Sequence, residues 1–183
     1  IKRVVGVYKS YQTRVGNGPM PTEITSGGDM EMLREGLGGA AGTAEYGTTT
    51  GRARRVGWFD SVLARYTARI NGVTSVALTR LDSLSAFERI KICVAYEIGD
   101  QRVTTLPATL TDAARAKPVF EELPGWMQDV TGIRHLADLP AEARQYVRRI
   151  EQLMGQPVDM ISVGPERHQA IVTRDIFGAS IQP

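Results

Sequence analysis

The sequence predicts an α/β fold, a mixed and mostly parallel sheet with flanking helices. Three observations predict it. Apolar segments with strand character at 2–9, 75–81, 90–98 and 158–163 are interspersed with two amphipathic helical segments at 58–71 and 140–154. Interleaved strands and helices, rather than runs of one kind, are the pattern of a sheet covered by helices. The 183 residues, 42% of them hydrophobic, suit one medium domain or a large piece of a bigger one.

Residues 2–9 place Val4, Val5, Val7 and Tyr8 in a loose alternation, so they form the first predicted strand. The chain opens on this strand without an initiating Met, and is therefore expected to begin inside a longer protein. Residues 10–57 hold many Gly, Thr and Pro and few periodic apolar residues, apart from a short helix predicted around 29–35. A connection of that length within a compact domain is usually functional or disordered. From Trp58 to Asn71 the pattern is helical, with Val62, Leu63, Tyr66 and Ile70 on one face and Arg65 and Arg69 on the other, and Asn71-Gly72 stops it. Ser75–Leu81 reads as a buried strand. Ile90–Ile98 and Arg102–Leu106 follow as two more, with Gly99-Asp100 as a hairpin turn between them. Residues 107–137 are mixed, and Pro118, Pro124 and Trp126 read as turns. Residues 140–154 form the clearest helix: Pro140 suits a first turn, Tyr146, Val147, Ile150, Leu153 and Met154 make an apolar stripe, and Gly155 and Pro157 end it. Residues 158–163 and 169–173 read as final strands.

Composition excludes several classes. A net charge of +2 gives no broad basic face for nucleic acid. No apolar run approaches the roughly 20 residues of a membrane span, and no targeting peptide is visible. The single cysteine, Cys93 in KICVAYEI, reads as a small buried hydrophobe that cannot form an internal disulfide, so a cytoplasmic location is expected. His135 and His168 lie far apart without ligand spacing, and no metal cluster stands out. Neither G-x-x-x-x-G-K-[ST] nor G-x-G-x-x-G occurs. No catalytic base is evident.

Four stretches carry chemistry. In GTTTGRARRVGWFD, Gly47–Asp60, Arg52, Arg54 and Arg55 precede a predicted helix, where backbone N–H groups and planar guanidinium forks suit carboxylate or phosphate. The bland alternative is a solvated loop whose arginines pair with surface acids. In TRLD, Thr79–Asp82, an aspartate stands at the end of an apolar strand, where ligands gather in α/β sheets. It can accept two N–H groups of a guanine edge while the neighbouring cation lies over the purine face. Equally, it can simply cap a turn. SVGPER, Ser162–Arg167, is a turn at another strand's carboxyl end. TRVGNGPMPTE, Thr13–Glu23, combines Arg14 with closely spaced glycines, but its prolines also suit a rigid loop.

Taken in order and at their spacing, TRVGNGPMPTE, GTTTGRARRVGWFD, TRLD, KICVAYEI, LPGW and SVGPER resemble adenylosuccinate synthetase over essentially the whole chain, as its carboxyl-terminal part. The resemblance implies a portion of a larger, P-loop-NTPase-like single-domain enzyme, with a substrate loop at about 10–57 and a guanine-binding part at about 74–183. It implies a GTP-dependent ligase that joins IMP and L-aspartate with Mg²⁺, giving adenylosuccinate, GDP and phosphate. Arg14, Val15, Thr49, Thr50, Gly51, Arg52 and Arg54 would serve IMP and aspartate. Arg54, Arg80, Leu81, Asp82, Ser162, Val163 and Gly164 would serve GTP. The phosphate loop, the catalytic aspartate and histidine, and by the same token the Mg²⁺ ligands are expected outside this chain, which is expected to be inactive alone. The full-length enzyme is expected to be a homodimer, with no nucleic acid or membrane partner. Three positions depart from the family pattern: Arg80 stands where lysine is usual, Ala53 where bacterial members often have arginine, and Val163 where threonine is frequent. The alternative is a non-catalytic purine-nucleotide-binding module.

Overall fold

The computed structural model describes residues 2–36, 44–47, 49 and 51–174. Along the chain lie β1 (Val5–Lys9), β2 (Gln12–Arg14), α1 (Gly28–Glu35), β3 (Arg55–Gly57), β4 (Phe59–Asp60), α2 (Ser61–Ile70), β5 (Ser75–Thr79), β6 (Arg89–Ile98), β7 (Gln101–Val103), α3 (Leu110–Arg115), β8 (Lys117–Pro124), α4 (Ala141–Met154), β9 (Val158–Ser162) and β10 (Ala170–Val172), with 3-10 turns at Leu81–Leu84 and Leu136–Asp138. The central sheet has the order β1-β5-β9-β10. Its first three strands are parallel and only β10 is antiparallel, so the α/β class and the mostly parallel central sheet hold. Beside it stand a β2–β3 ribbon and a sheet in which β6 pairs with β4, β7 and β8, and these additions are largely antiparallel.

The helices form where apolar spacing demands burial. Ala143, Tyr146, Val147, Ile150 and Met154 of α4 are all buried. That face packs against α2, whose buried face is Ser61, Val62, Ala64 and Ala68. The expected α2 stripe is thus corrected: Leu63 and Tyr66 are half-buried and Ile70 is 59% exposed, because small alanines let the two helices approach. The helix also starts three residues later than its expected Trp58. Trp58 and Phe59 are extended core residues, and Asp60 is the N-cap, its carboxylate accepting from the Leu63 N–H at 3.0 Å. Likewise Pro140 is the residue before α4, not within its first turn.

Other boundaries moved for local reasons. The expected strand 75–81 ends at Thr79, because Arg80 takes a left-handed φ of 66° and opens the 3-10 turn. The hairpin at Gly99-Asp100 is present, joining Ile98 to its partner Gln101. In 107–137, Pro118 and Pro124 belong to β8, which pairs only with β6 among the described strands. An edge strand tolerates a residue without an N–H. Within 10–57, β2, α1 and β3 give the described part regular structure.

Buried residues from both sheets and all of the larger helices form one main core, in which Trp58 and Phe87 meet edge-on at 5.4 Å. Gly125 shows how closely the backbones pack there. Its N–H donates to the Glu88 carbonyl at 2.8 Å, and a Cβ at this position would stand 1.7 Å from the Phe87 carbonyl oxygen. Gly125→Ala is therefore expected to destabilise the protein by about 3 kcal/mol or more, at the top of the range for overpacking, since backbone must move. Gly132→Ala, where a Cβ meets nothing within 4 Å, is expected to change stability by less than about 0.5 kcal/mol. Urea unfolding of the two variants checks the contrast.

Candidate functional site at the carboxyl edge of the central sheet

Because β1, β5 and β9 are parallel, they end on one edge: Lys9 is in register with Thr79, and Leu78 with Ile161. Ligands in open α/β sheets collect outside such ends. The chain past β1 is tied down at once. The Ser10 N–H donates to the Thr79 carbonyl at 2.8 Å, and its hydroxyl donates to the Arg80 carbonyl at 2.7 Å. From α4, the Tyr146 hydroxyl donates to the Ser10 carbonyl.

Arg80 caps the turn Leu81–Leu84, whose four residues are all buried. Its Nε donates to the Ser83 hydroxyl at 3.1 Å. Asp82 is 7% exposed, and its Oδ1 has no hydrogen-bond partner among the described residues. Burial raises its carboxyl above the ordinary range; the Arg80 charge works against that shift and Asp129 adds to it. A buried carboxylate oxygen without a donor is costly, on the order of 1–3 kcal/mol, and such groups mark sites that receive a donor from elsewhere. Two other buried polar atoms share this state, Arg34 Nε and Asp159 Oδ1. Asp159 differs from Asp82, since its other oxygen accepts from Ser75 at 2.6 Å and Arg174 stands 3.7 Å away.

The strand β9, which leads into the next turn, packs beside this one. Ser162 donates its hydroxyl to the Gly164 carbonyl at 2.9 Å, and buried Val163 donates its N–H to the Gln169 carbonyl at 2.9 Å. A Cβ at Gly164 would lie 2.3 Å from Gln169 Oε1, so a larger residue there would displace the end of the Gln169 side chain. Gln169 in turn donates to the Thr131 carbonyl at 3.1 Å, and Thr131 is fixed to Asp129 through both its N–H and its hydroxyl. Asp82 thus lies in a turn that neighbours β9, with Arg80 and Asp129 close enough to act on its charge.

The arginine loop stands on Glu45, which is 1% exposed. Glu45 Oε1 accepts from Lys9 Nζ at 2.7 Å and from the Tyr11 hydroxyl at 2.5 Å, and Oε2 accepts from Arg54 Nη1 at 2.7 Å. Arg80 Nη2 is 4.0 Å from Oε1. Burial by itself would raise the Glu45 carboxyl, but the bonds from Lys9, Tyr11 and Arg54 outweigh it and hold the group below the ordinary range. The backbone closes the same pair: the Arg54 N–H donates to the Glu45 carbonyl at 2.8 Å, Tyr46 bridges Ala53, and the Gly47 N–H donates to the Arg52 carbonyl at 2.8 Å. Thr49, Gly51 and Arg52 are exposed at the tip, Gly51 at a φ of 62°, and Ala53 also faces solvent. Thr50 lies outside the described residues.

Arg14 and Val15 occupy a neighbouring loop. Arg14 is in register with Arg55 across the β2–β3 ribbon. It donates to the Pro19 and Asn17 carbonyls at 3.0 Å each, while Arg55 pairs with Glu23 and donates to the Gly18 carbonyl at 2.8 Å. Two guanidiniums therefore brace the glycine loop from inside, and Val15 stands 63% exposed at its tip. The structure brings Arg54 and Arg80 together at Glu45, and Asp82 lies two residues beyond Arg80 in the adjoining 3-10 turn. It keeps Arg14 on its own loop. The sequence alone missed Glu45, Lys9, Tyr11 and Asp129; a lone acid inside a Gly/Thr/Arg loop was the available signal for Glu45. His135 and His168 are exposed, and Cys93 is buried with its thiol pushed up to about 12, chiefly by burial and then by Asp60.

The Asp82 shift sets a pH signature. Its folded value lies above its unfolded value, so ionisation costs stability: the cost is absent below the unfolded value of about 3.9 and grows as pH rises through the folded one. Asp82→Asn removes that titration. The melting temperature of the variant relative to the parent is expected to climb between pH 4 and pH 7 in the absence of ligand. A difference that stays constant across this window would contradict the burial assigned to Asp82.

Among the described residues, no helix is long and apolar enough to cross a membrane, and no three His, Cys, Asp or Glu side chains converge as a metal site. The family model for adenylosuccinate synthetase matches residues 1–171. The chain is 51% identical over 176 residues to adenylosuccinate synthetase of Frankia alni, covering 96% of this chain and 40% of that protein. It is 52% identical over 177 residues to the Mycobacterium tuberculosis H37Rv enzyme, covering 97% and 39% respectively. A solved structure titled fully ligated adenylosuccinate synthetase from Plasmodium falciparum superposes with a TM-score of 0.86 at 36% identity, over 95% of this chain and 40% of that one. The chain thus spans about 40% of the length of the curated relatives it matches, and over that span it belongs to the adenylosuccinate synthetase family.

Proposed function

We propose that the chain is the carboxyl-terminal portion of a GTP-dependent ligase that joins IMP and L-aspartate to give adenylosuccinate, GDP and phosphate. The observation that carries this reading is the buried Asp82 carboxylate, with an oxygen awaiting a donor beside Arg80, at the sheet edge of a member of this family. Guanine offers an N1–H and an exocyclic amino group side by side, and a carboxylate accepts both. The Arg80 side chain keeps the charge of the usual lysine and adds a planar face for stacking on the purine. Leu81 is the buried spacer between them, and Ser162, Val163 and Gly164 flank the base from β9.

The other half of the site handles charge. L-Aspartate brings two carboxylates next to phosphates, and binding it requires concentrated cations. Arg52 at the loop tip and Arg54 at its base supply them, with Arg54 also turned toward the nucleotide. Thr49, Thr50 and Gly51 form the tip that closes on the substrate. Closure excludes water that would otherwise hydrolyse IMP phosphorylated on its 6-oxygen before the aspartate amine displaces the phosphate. Val15 approaches the IMP ribose, with Arg14 bracing the loop that carries it. In this assignment 10–57 is the substrate segment and 74–183 the guanine-binding part.

By the family resemblance, the Mg²⁺ ligands and the catalytic base are assigned to the part of the longer protein outside this chain; among the described residues no three His, Cys, Asp or Glu side chains come together. The enzyme is taken to work in the cytoplasm as a homodimer. Loss of a general base alone typically costs about 10²–10⁴-fold, and the chain alone is expected to show no turnover. The measurement is adenylosuccinate absorbance with IMP, GTP, Mg²⁺ and aspartate, on this chain and on the full-length protein. Turnover by the full-length protein only is the expected result. A full-length protein that binds GTP but never consumes aspartate would make the chain a nucleotide-binding module instead. In the full-length enzyme, Asp82→Asn is expected to lower kcat/KM for GTP about 10²–10⁴-fold, the loss of two charge-assisted bonds at about 1.5–3 kcal/mol each, tempered by non-additivity. The new amide donor should improve use of xanthosine triphosphate, whose 2-oxo group accepts where guanine donates.

A further inference from the structure

We infer that Glu45 is a positioning residue: a buried carboxylate that orients Arg54 for the dicarboxylate substrate and joins the arginine loop to the guanine-reading turn. The inference rests on the reading given above for Arg54 and Asp82. No motif singled Glu45 out in the sequence. Its placement nevertheless links four segments. Lys9 ends β1, Tyr11 begins the crossing after it, Arg54 closes the base of the loop, and Arg80 opens the 3-10 turn that holds Asp82.

Three cations face this one carboxylate, and with Asp82 set against Arg80 the group keeps a net positive charge. Without Glu45 these cations would repel one another within a partly buried space. With it they are held close together while a net positive charge remains for an anion. The state of Lys9 reflects the crowding: burial, followed by the charges of Arg54 and Arg80, holds its ammonium below the ordinary range in spite of the bond to Glu45. Arg54 is fixed twice, through its Nη1 and through its backbone N–H, both on Glu45. The Arg54 side chain stays 28% accessible, so the rest of the fork can be reached by a ligand that enters the loop. Orientation of this kind lowers the entropy lost on binding, and so acts on substrate affinity before it acts on chemistry.

The test uses the full-length enzyme. Glu45→Gln keeps the size of the side chain and removes its charge. The KM for aspartate is expected to rise at least tenfold, with kcat within fivefold and the KM for IMP within twofold. In the Arg54→Lys background, which has already lost the fork, the same substitution is expected to raise the KM for aspartate by less than twofold. Equal effects of Glu45→Gln in both backgrounds, or a folded Glu45→Gln with the KM for aspartate within twofold, would overturn the proposal. Limited trypsin digestion gives a readout independent of ligation: cleavage after Arg52 and Arg54 is expected to be at least fivefold faster in Glu45→Gln. If the parent enzyme does not ligate, the functional reading fails, and the digestion still decides whether Glu45 holds the loop. If Glu45→Gln fails to fold, Tyr11→Phe carries the test, because it removes one donor and no charge. A folded Tyr11→Phe is expected to raise the KM for aspartate about threefold, and no change there would overturn the proposal.

Discussion

The site depends on one constraint, the parallel alignment of β1, β5 and β9. Parallel strands deliver all their outgoing chain ends to a single edge, and the register places Lys9 next to Thr79 and Leu78 next to Ile161. Everything the site uses then follows within a few residues of those ends. Tyr11 lies two residues beyond β1, Asp82 three beyond β5, and Ser162–Gly164 at the end of β9. Had any of the three been antiparallel, its loop would have opened at the far edge. The helix behind the sheet enforces the arrangement: the hydroxyl of Tyr146, on the buried stripe of α4, is bonded to the Ser10 carbonyl where the chain leaves β1.

On that frame the polar groups are sorted by burial. Arg52, exposed at the loop tip, costs little to keep charged, and the surface pair Arg89–Glu122 contributes little. Glu45 is different, because a carboxylate this deeply buried is tolerated only when its lone pairs are filled by charged or hydroxyl donors. Removing any one donor leaves the others mutually repelling or the carboxylate short of partners. The four segments around it are therefore constrained together, and the arginine loop, long in sequence, has a fixed base and a solvent-facing tip.

How much of this was legible in the sequence follows from how local each signal is. The stripe of α4 repeats at helical spacing within 14 residues, so periodicity alone located it. β8 was hidden because Pro118 and Pro124 read as turns, whereas an edge strand accommodates them. The start of α2 was misplaced because Trp58 and Phe59 are as apolar as a helix face, and only tertiary packing shows that they are extended. In the site, Arg54 was legible as a cation ahead of a predicted helix, and Arg80 and Asp82 as chemistry at a predicted strand end. Glu45 was not, since its partners lie 36, 34 and 9 residues away and burial of a charge is a property of the assembled fold. The ordering of motifs located the family; it did not reveal which acid holds the loop.

Asp82 and Glu45 form a contrast that explains why the two carboxylates serve different ends. Both are buried and both face arginine. Glu45 has its donors inside the chain, and its carboxyl is held below the ordinary range. Asp82 retains an oxygen without a donor, and its carboxyl is raised. A saturated carboxylate stabilises the fold and has nothing left to offer a ligand. An unsaturated one costs stability in the free protein, and a ligand that supplies the missing donors recovers that cost on binding. The difference in saturation, set by which neighbours each strand end brings, divides the edge into a part that holds the structure and a part left open to a donor from a ligand.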